Sequence, residues 1–125
     1  MSEEKKEEVR TFLRAFKKIA LQRGIDFIPR RGFLEARAWL GFTLGNCRDE
    51  IMTLTVDDYS DGPSPDKDRP GEVWVFGRKI GGTDIYIKLK LSSVEGQTIA
   101  KCLSFHPAGY PLCFPFMEKK EGEEQ

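Results

Sequence analysis

The segment EVWVFGRKIGGTDIYIKLKL, residues 72 to 91, constrains the fold more than any other part of the chain. Two runs of alternating apolar and polar residues flank a Gly-Gly pair, and two adjacent residues that tolerate positive φ make the tight turn that twisted antiparallel strands need. With Gly81 and Gly82 at the turn, Lys79 faces Asp84, Gly77 faces Tyr86 and Val75 faces Lys88. Strand alternation then places Trp74, Phe76, Ile80, Ile85, Ile87, Leu89 and Leu91 on one side, a core face. Lys79, Tyr86, Lys88 and Lys90 fall on the other, open side.

After SSVEGQ, a third strand is expected from about Ile99 to His106, antiparallel to the second. If Leu103 and Phe105 turn to the core, Ala100, Cys102, Ser104 and His106 occupy the open face. The pairing register puts either Ser104 or His106 opposite Tyr86. The only histidine of the chain thereby comes close to Tyr86, Lys88 and Lys79, at a strand end closed by Pro107.

The first half of the chain reads differently. Val9, Phe12, Leu13, Phe16, Ile19 and Ala20 recur at helical spacing between residues 3 and 23, and Gly24 stops the run. IDFIP, 25 to 29, reads as an extended edge segment, because Pro29 cannot donate to a ladder. Two short helices follow, at about 32 to 40 and 47 to 54, the second with Asn46 as its cap and Asp49 and Glu50 in its first turn. DDYSDGPSPDKDRPG, 57 to 71, with three prolines, two glycines and five aspartates, reads as a long loop, either substrate-gating or merely mobile. Helices first and strands afterwards imply an α+β domain: N-terminal helices packed on one face of a C-terminal antiparallel sheet, a three-stranded meander plus an edge strand.

At 125 residues the chain is one domain's worth of sequence. Residues 1 to 8 and 118 to 125 each hold four glutamates and two lysines, and are expected to be mobile tails. Removing them leaves 16 basic against 12 acidic residues, a mild excess that permits an anionic partner without requiring one. Cys47, Cys102 and Cys113 are odd in number and lack a metal-binding spacing, so a reducing compartment is expected, with no structural metal and no cofactor. Cys102 and His106 share the open face on this reading but lie roughly 13 Å apart along the strand, too far to hold one ion. No apolar run approaches membrane-spanning length and the N-terminus lacks a leader pattern; a cytoplasmic protein with no membrane partner is expected.

An imidazole, a phenol and clustered ammonium groups on one face suit RNA cleavage without a metal. That reaction needs a base for the 2′-OH proton, an acid for the departing 5′-oxygen, and cations for the charge gathering on the phosphoryl oxygens. His106 can serve as base or acid, Tyr86 as orienter and hydrogen-bond donor, Lys88 and Lys79 as charge stabilisers, with Arg69, Lys90 and Ser104 along the substrate path. A lone histidine at a strand end also has a plainer use as a structural hydrogen-bonding group. On that reading the domain binds RNA or another protein without cutting. The aromatic and proline-rich GYPLCFPF stretch is explained by packing over a sheet edge, or by Tyr110 or Phe114 stacking a base.

The run RPGEVWVFGRKIGGTDIYIKLKL followed by KCLSFHPAGYPLCFPF, with LTVDDY before the loop, resembles the MqsR-family toxins of bacterial type II toxin-antitoxin systems, over roughly residues 24 to 116. The resemblance implies a RelE-like α+β fold and a metal-independent endoribonuclease acting on mRNA, held in check by a cognate antitoxin. The family's tyrosine and lysine of the Y-x-K strand fall on Tyr86 and Lys88, and its basic residue after the S-F pair falls on His106, where the founding member has lysine. Two positions depart from the pattern: a glutamine aligns with Val75, and a loop lysine with Ser60 or Asp61. The family's preference for GC-containing triplets is therefore not carried over. Arg69, Arg78 or Lys79 could replace the missing cation; parity turns Arg78 to the core and favours Lys79.

Overall fold

Val9, Phe12, Leu13, Phe16 and Ala20 form the buried stripe of α1 (Glu3–Arg23), at the spacing read from the sequence. The computed structural model describes residues 3–117. The chain continues through β1 (Ile25–Phe27), α2 (Arg31–Leu40), α3 (Leu44–Met52), a single 3-10 turn (Val56–Asp58), β2 (Tyr59–Pro65), β3 (Glu72–Ile80), β4 (Thr83–Val94) and β5 (Gln97–Pro107). The result is an α+β fold in which three N-terminal helices pack on one face of a five-stranded sheet of order β1-β5-β4-β3-β2. Phe16, Phe76 and Phe105 are fully buried between the layers, each burial contributing about 1.5–3 kcal/mol over exposure.

The β3–β4 hairpin has the register expected: Val75 faces Lys88, Gly77 faces Tyr86 and Lys79 faces Asp84. Gly81 and Gly82 both have positive φ, 58° and 84°, as the two-residue turn demands. Trp74, Phe76, Ile85, Ile87 and Leu89 belong to the core, with Ile80 and Leu91 packed against it.

Several expectations are corrected. The sheet is mixed, not antiparallel, because β1 pairs parallel with β5, from Ile25 opposite Ala100 to Phe27 opposite Cys102. Much of the expected loop is a strand: β2 pairs with β3 from Tyr59 to Pro65 through two irregularities. Pro63 and Pro65 fit there because β2 is an edge strand. Only residues 66–71 remain as connection. α3 starts earlier than read, with Thr43 as its cap; Asn46 supplies the reciprocal half of a capping box, its Oδ1 accepting from the Thr43 N–H at 2.9 Å. Asp49 and Glu50 consequently lie beyond the first turn of α3. Residues 3–8 of the expected N-terminal tail are the first turns of α1, tied by i,i+3 ion pairs Lys6–Glu3 and Lys5–Glu8. The tail expected at 118–125 lies outside the described residues.

The largest correction is in β5. A register shift after the Lys88–Ser104 pair sets Leu89 opposite Cys102 and Leu91 opposite Ala100. Ala100 and Cys102 thus point into the core, whereas Leu103 joins the open side in a cleft with Lys90 and Lys101. Strict alternation fails because the bulge inserts one extra residue, which inverts the facing of everything before it. Ser104, Phe105 and His106 lie after the bulge and keep the expected facing.

Candidate functional site

Phe105 anchors the end of β5, opposite Ile87 and edge-on to Phe33 of α2 at 6.3 Å between ring centroids. Its burial turns His106 to the other side, directly opposite Tyr86. The two rings stack with centroids 5.4 Å apart and planes 17° from parallel. β1 accompanies β5 only as far as Cys102, and beyond it the first turn of α2 approaches β5. A Cβ on Gly32 would stand 3.5 Å from His106 Cδ2. The imidazole is therefore held between a phenol ring and a helix backbone.

His106 Nδ1 lies 2.9 Å from the carbonyl oxygen of Pro107. A carbonyl only accepts, so the neutral ring donates from Nδ1 and leaves the Nε2 lone pair for a substrate proton. Lys88 Nζ stands over the Tyr86 ring, 6.0 Å from its centroid, and Ser104 lies opposite Lys88 on β5, mostly buried. The Tyr86 phenol is pushed above its ordinary pKa of 10.0, first by burial, then by the neighbouring Tyr110 phenol and by Asp61. At neutral pH it keeps its proton and can donate it.

Lys79 is on the same face, two pairs further along the hairpin from Tyr86, but its ammonium is engaged by Asp84 at 3.3 Å. Arg78 turns to the helix side, as parity requires, where it binds the Glu50 and Thr53 carbonyls and the Asp58 carboxylate. It is a clamp between layers, with its guanidinium engaged on the helix side of the sheet.

Arg69 and Lys90 do not join His106. They line a separate cleft on the open side with Arg30, Lys101, Asp66 and Asp68. The expectation that Lys90 contacts substrate is corrected: it is 3% exposed and its Nζ donates to Asp66 Oδ2 at 2.6 Å. Parity placed Lys90 on the right face, but the 66–71 connection folds over it. Cys102 and His106 do not share a face; Cys102 is in the core, its Sγ–H donating to the Ser104 carbonyl at 3.3 Å and its thiol pKa raised by burial.

Two members of the site were not assigned from the strands. Tyr110 presents its edge to Tyr86 at 6.4 Å, so the GYPLCFPF stretch starts on the open face, and it ends with Phe116 buried and stacked on Tyr59 of the edge strand β2, as packing over a sheet edge requires. Phe114 and Leu112 lie over Gly77 on that same face. Trp39 of α2 lines a cleft with His106, and no strand pattern could have pointed to it. Comparison with protein-family models, with curated proteins and with solved structures gives no match to this chain.

Proposed function

We propose that this chain is the toxin of a type II toxin-antitoxin pair, of the MqsR kind it resembles, cleaving mRNA in the cytoplasm under the control of a cognate antitoxin protein. The observation that carries the reading is the anchored imidazole: Nδ1 tied to the Pro107 carbonyl and the ring face supported by Tyr86, so that Nε2 is free and oriented. Nε2 takes the proton of a ribose 2′-OH as its oxygen bonds to phosphorus. The bond from phosphorus to the 5′-oxygen breaks, and that oxygen receives a proton from the Tyr86 phenol, which its raised pKa keeps protonated. Lys88, beside Tyr86, offsets the charge on the phosphoryl oxygens. The products are a 2′,3′-cyclic phosphate and a 5′-hydroxyl. Every proton in this scheme moves between side chains and RNA, and no step calls on a cofactor.

The decisive experiment incubates labelled mRNA with the wild-type protein and with His106→Ala in excess EDTA. The wild type is expected to cut and the variant, shown to be folded by circular dichroism, to lose cutting. Intact RNA with wild type, or equal cutting by the variant, overturns the proposal. Growth arrest on expression, relieved by co-expressing the neighbouring gene, is the expected cellular counterpart.

A further inference from the structure

Gly32, Glu35, Ala36 and Trp39 are spaced three and four apart on one face of α2, and together with His106 and Pro107 they line a cleft of about 380 Å³. That size falls within the usual range of ligand clefts, about 300–1,000 Å³. Trp39 is 60% exposed, whereas the other indole, Trp74, is 9% exposed in the core. An indole left in water beside a titratable ring has a flat apolar face, and among the described residues no ring or cation is stacked on it. Among the described residues Glu35 is the one carboxylate lining the cleft, and Arg31 meets it at 2.8 Å, so its negative charge is matched. Arg31 is thus matched to Glu35, and Arg30, exposed just before α2, lines the separate cleft of Arg69 and Lys101.

We propose that this cleft is a nucleobase subsite, in which one unstacked base of single-stranded RNA lies on Trp39 while the adjoining phosphate is presented to His106. Exposed aromatic faces beside cations are the usual means of holding single-stranded nucleic acid, because every base has a π face. The arrangement gives His106 an aromatic surface on each side: Tyr86 with Tyr110 on the sheet, and Trp39 on the helix. A strand crossing His106 can then be gripped by its bases on both sides of the scissile bond. This inference rests on the ribonuclease reading, and names where that substrate is held.

The test uses the whole protein and a single-stranded oligonucleotide with 2′-O-methyl riboses, which binds but cannot be cut. Because Trp74 is buried, a change in indole emission on titration reports on Trp39. Quenching is expected in the wild type and is lost in Trp39→Phe, while Trp39→Ala weakens binding by about tenfold and Trp39→Phe restores most of it. With cleavable RNA, Trp39→Ala is expected to raise KM and leave kcat nearly unchanged. If wild type cuts RNA while Trp39→Ala, with wild-type circular dichroism, binds and cuts as wild type does, the subsite is wrong and the ribonuclease reading survives. If the oligonucleotide does not bind and wild type leaves RNA intact, both fall; if it does not bind while wild type cuts RNA, the subsite alone falls. Binding that depends on Trp39 without any cutting supports the subsite and removes the cleavage step.

Discussion

The imidazole of His106 lies against the phenol ring of Tyr86, centroids 5.4 Å apart and planes 17° from parallel. The two residues are directly paired across β4 and β5, so the stack is fixed by the register of the sheet and does not depend on a flexible loop. Ring and hydroxyl of Tyr86 can therefore be separated by substitution. Tyr86→Phe keeps the stack and removes the proton donor; kcat is expected to fall on the order of 10²-fold with KM nearly constant. The pH profile supplies the sign: a phenol pKa raised above its ordinary value by burial keeps the donor form filled through neutral pH, so the alkaline fall in rate that Tyr86 causes is displaced to higher pH and is absent in Tyr86→Phe. A fall in the same place in both proteins shows that Tyr86 is not the acid.

Lys90 and Asp66 give a stability prediction. The Asp66 carboxyl is lowered to about 2, first by its hydrogen bond from Lys90 and then by the backbone N–H of Asp68. A depressed carboxyl pKa contributes stability that is complete above the unfolded value, 3.8, and is lost as pH falls through about 2. Asp66→Asn leaves the buried ammonium without its counter-charge, so the variant is expected to unfold at a lower temperature than wild type at pH 7. The gap in Tm should narrow from pH 4 downwards and close near pH 2. A gap that persists unchanged at pH 2 shows that the charge of Asp66 is not its source.

How far the sequence reaches can be judged on β4. Its pairing with β3 was fully legible, because a two-glycine turn fixes register and the apolar alternation is unbroken. Its pairing with β5 was legible only beyond the bulge: Ser104, Phe105 and His106 face as expected, Ala100, Cys102 and Leu103 do not. Nothing in KCLSF marks the extra residue, since both faces there carry apolar side chains and the alternation is silent. Lys90 shows a second limit, because parity assigns a face without showing what folds over it. β2 was hidden by composition, as prolines and aspartates that signal a loop are equally at home on an irregular edge strand.

The three cysteines are expected to differ in reactivity. Cys47 and Cys102 are buried, and burial pushes the Cys47 thiol up to about 11 and raises Cys102 as well. Thiolate is the reactive form, so neither should be modified in the folded protein at neutral pH. Cys113 is exposed and should be the single thiol titrated by a disulfide reagent, with all three reacting in denaturant. Cys113→Ser is expected to bring the native count to zero. Rapid labelling of Cys47 in the folded state would show that α3 opens readily from the core.

Gly77 ties the C-terminal stretch to the candidate site. It is paired with Tyr86, and a Cβ there would run into Leu112 and stand 3.0 Å from Phe114 Cζ, while Tyr110 of the same stretch abuts the Tyr86 ring. The obstructing atoms are the ends of side chains, so Gly77→Ala is expected to be tolerated through small shifts, at a cost of about 1 kcal/mol. Gly77→Val adds two methyl groups that the same shifts cannot accommodate and should lift residues 110–116 from the sheet. If Tyr110 helps position Tyr86, Gly77→Val lowers the cleavage rate beyond its effect on Tm, and the Tyr110→Ala background removes the extra loss. Additive losses in the double variant mean that the stretch serves stability alone. The comparison separates a cover that seals the open face from one that orients the phenol beneath it.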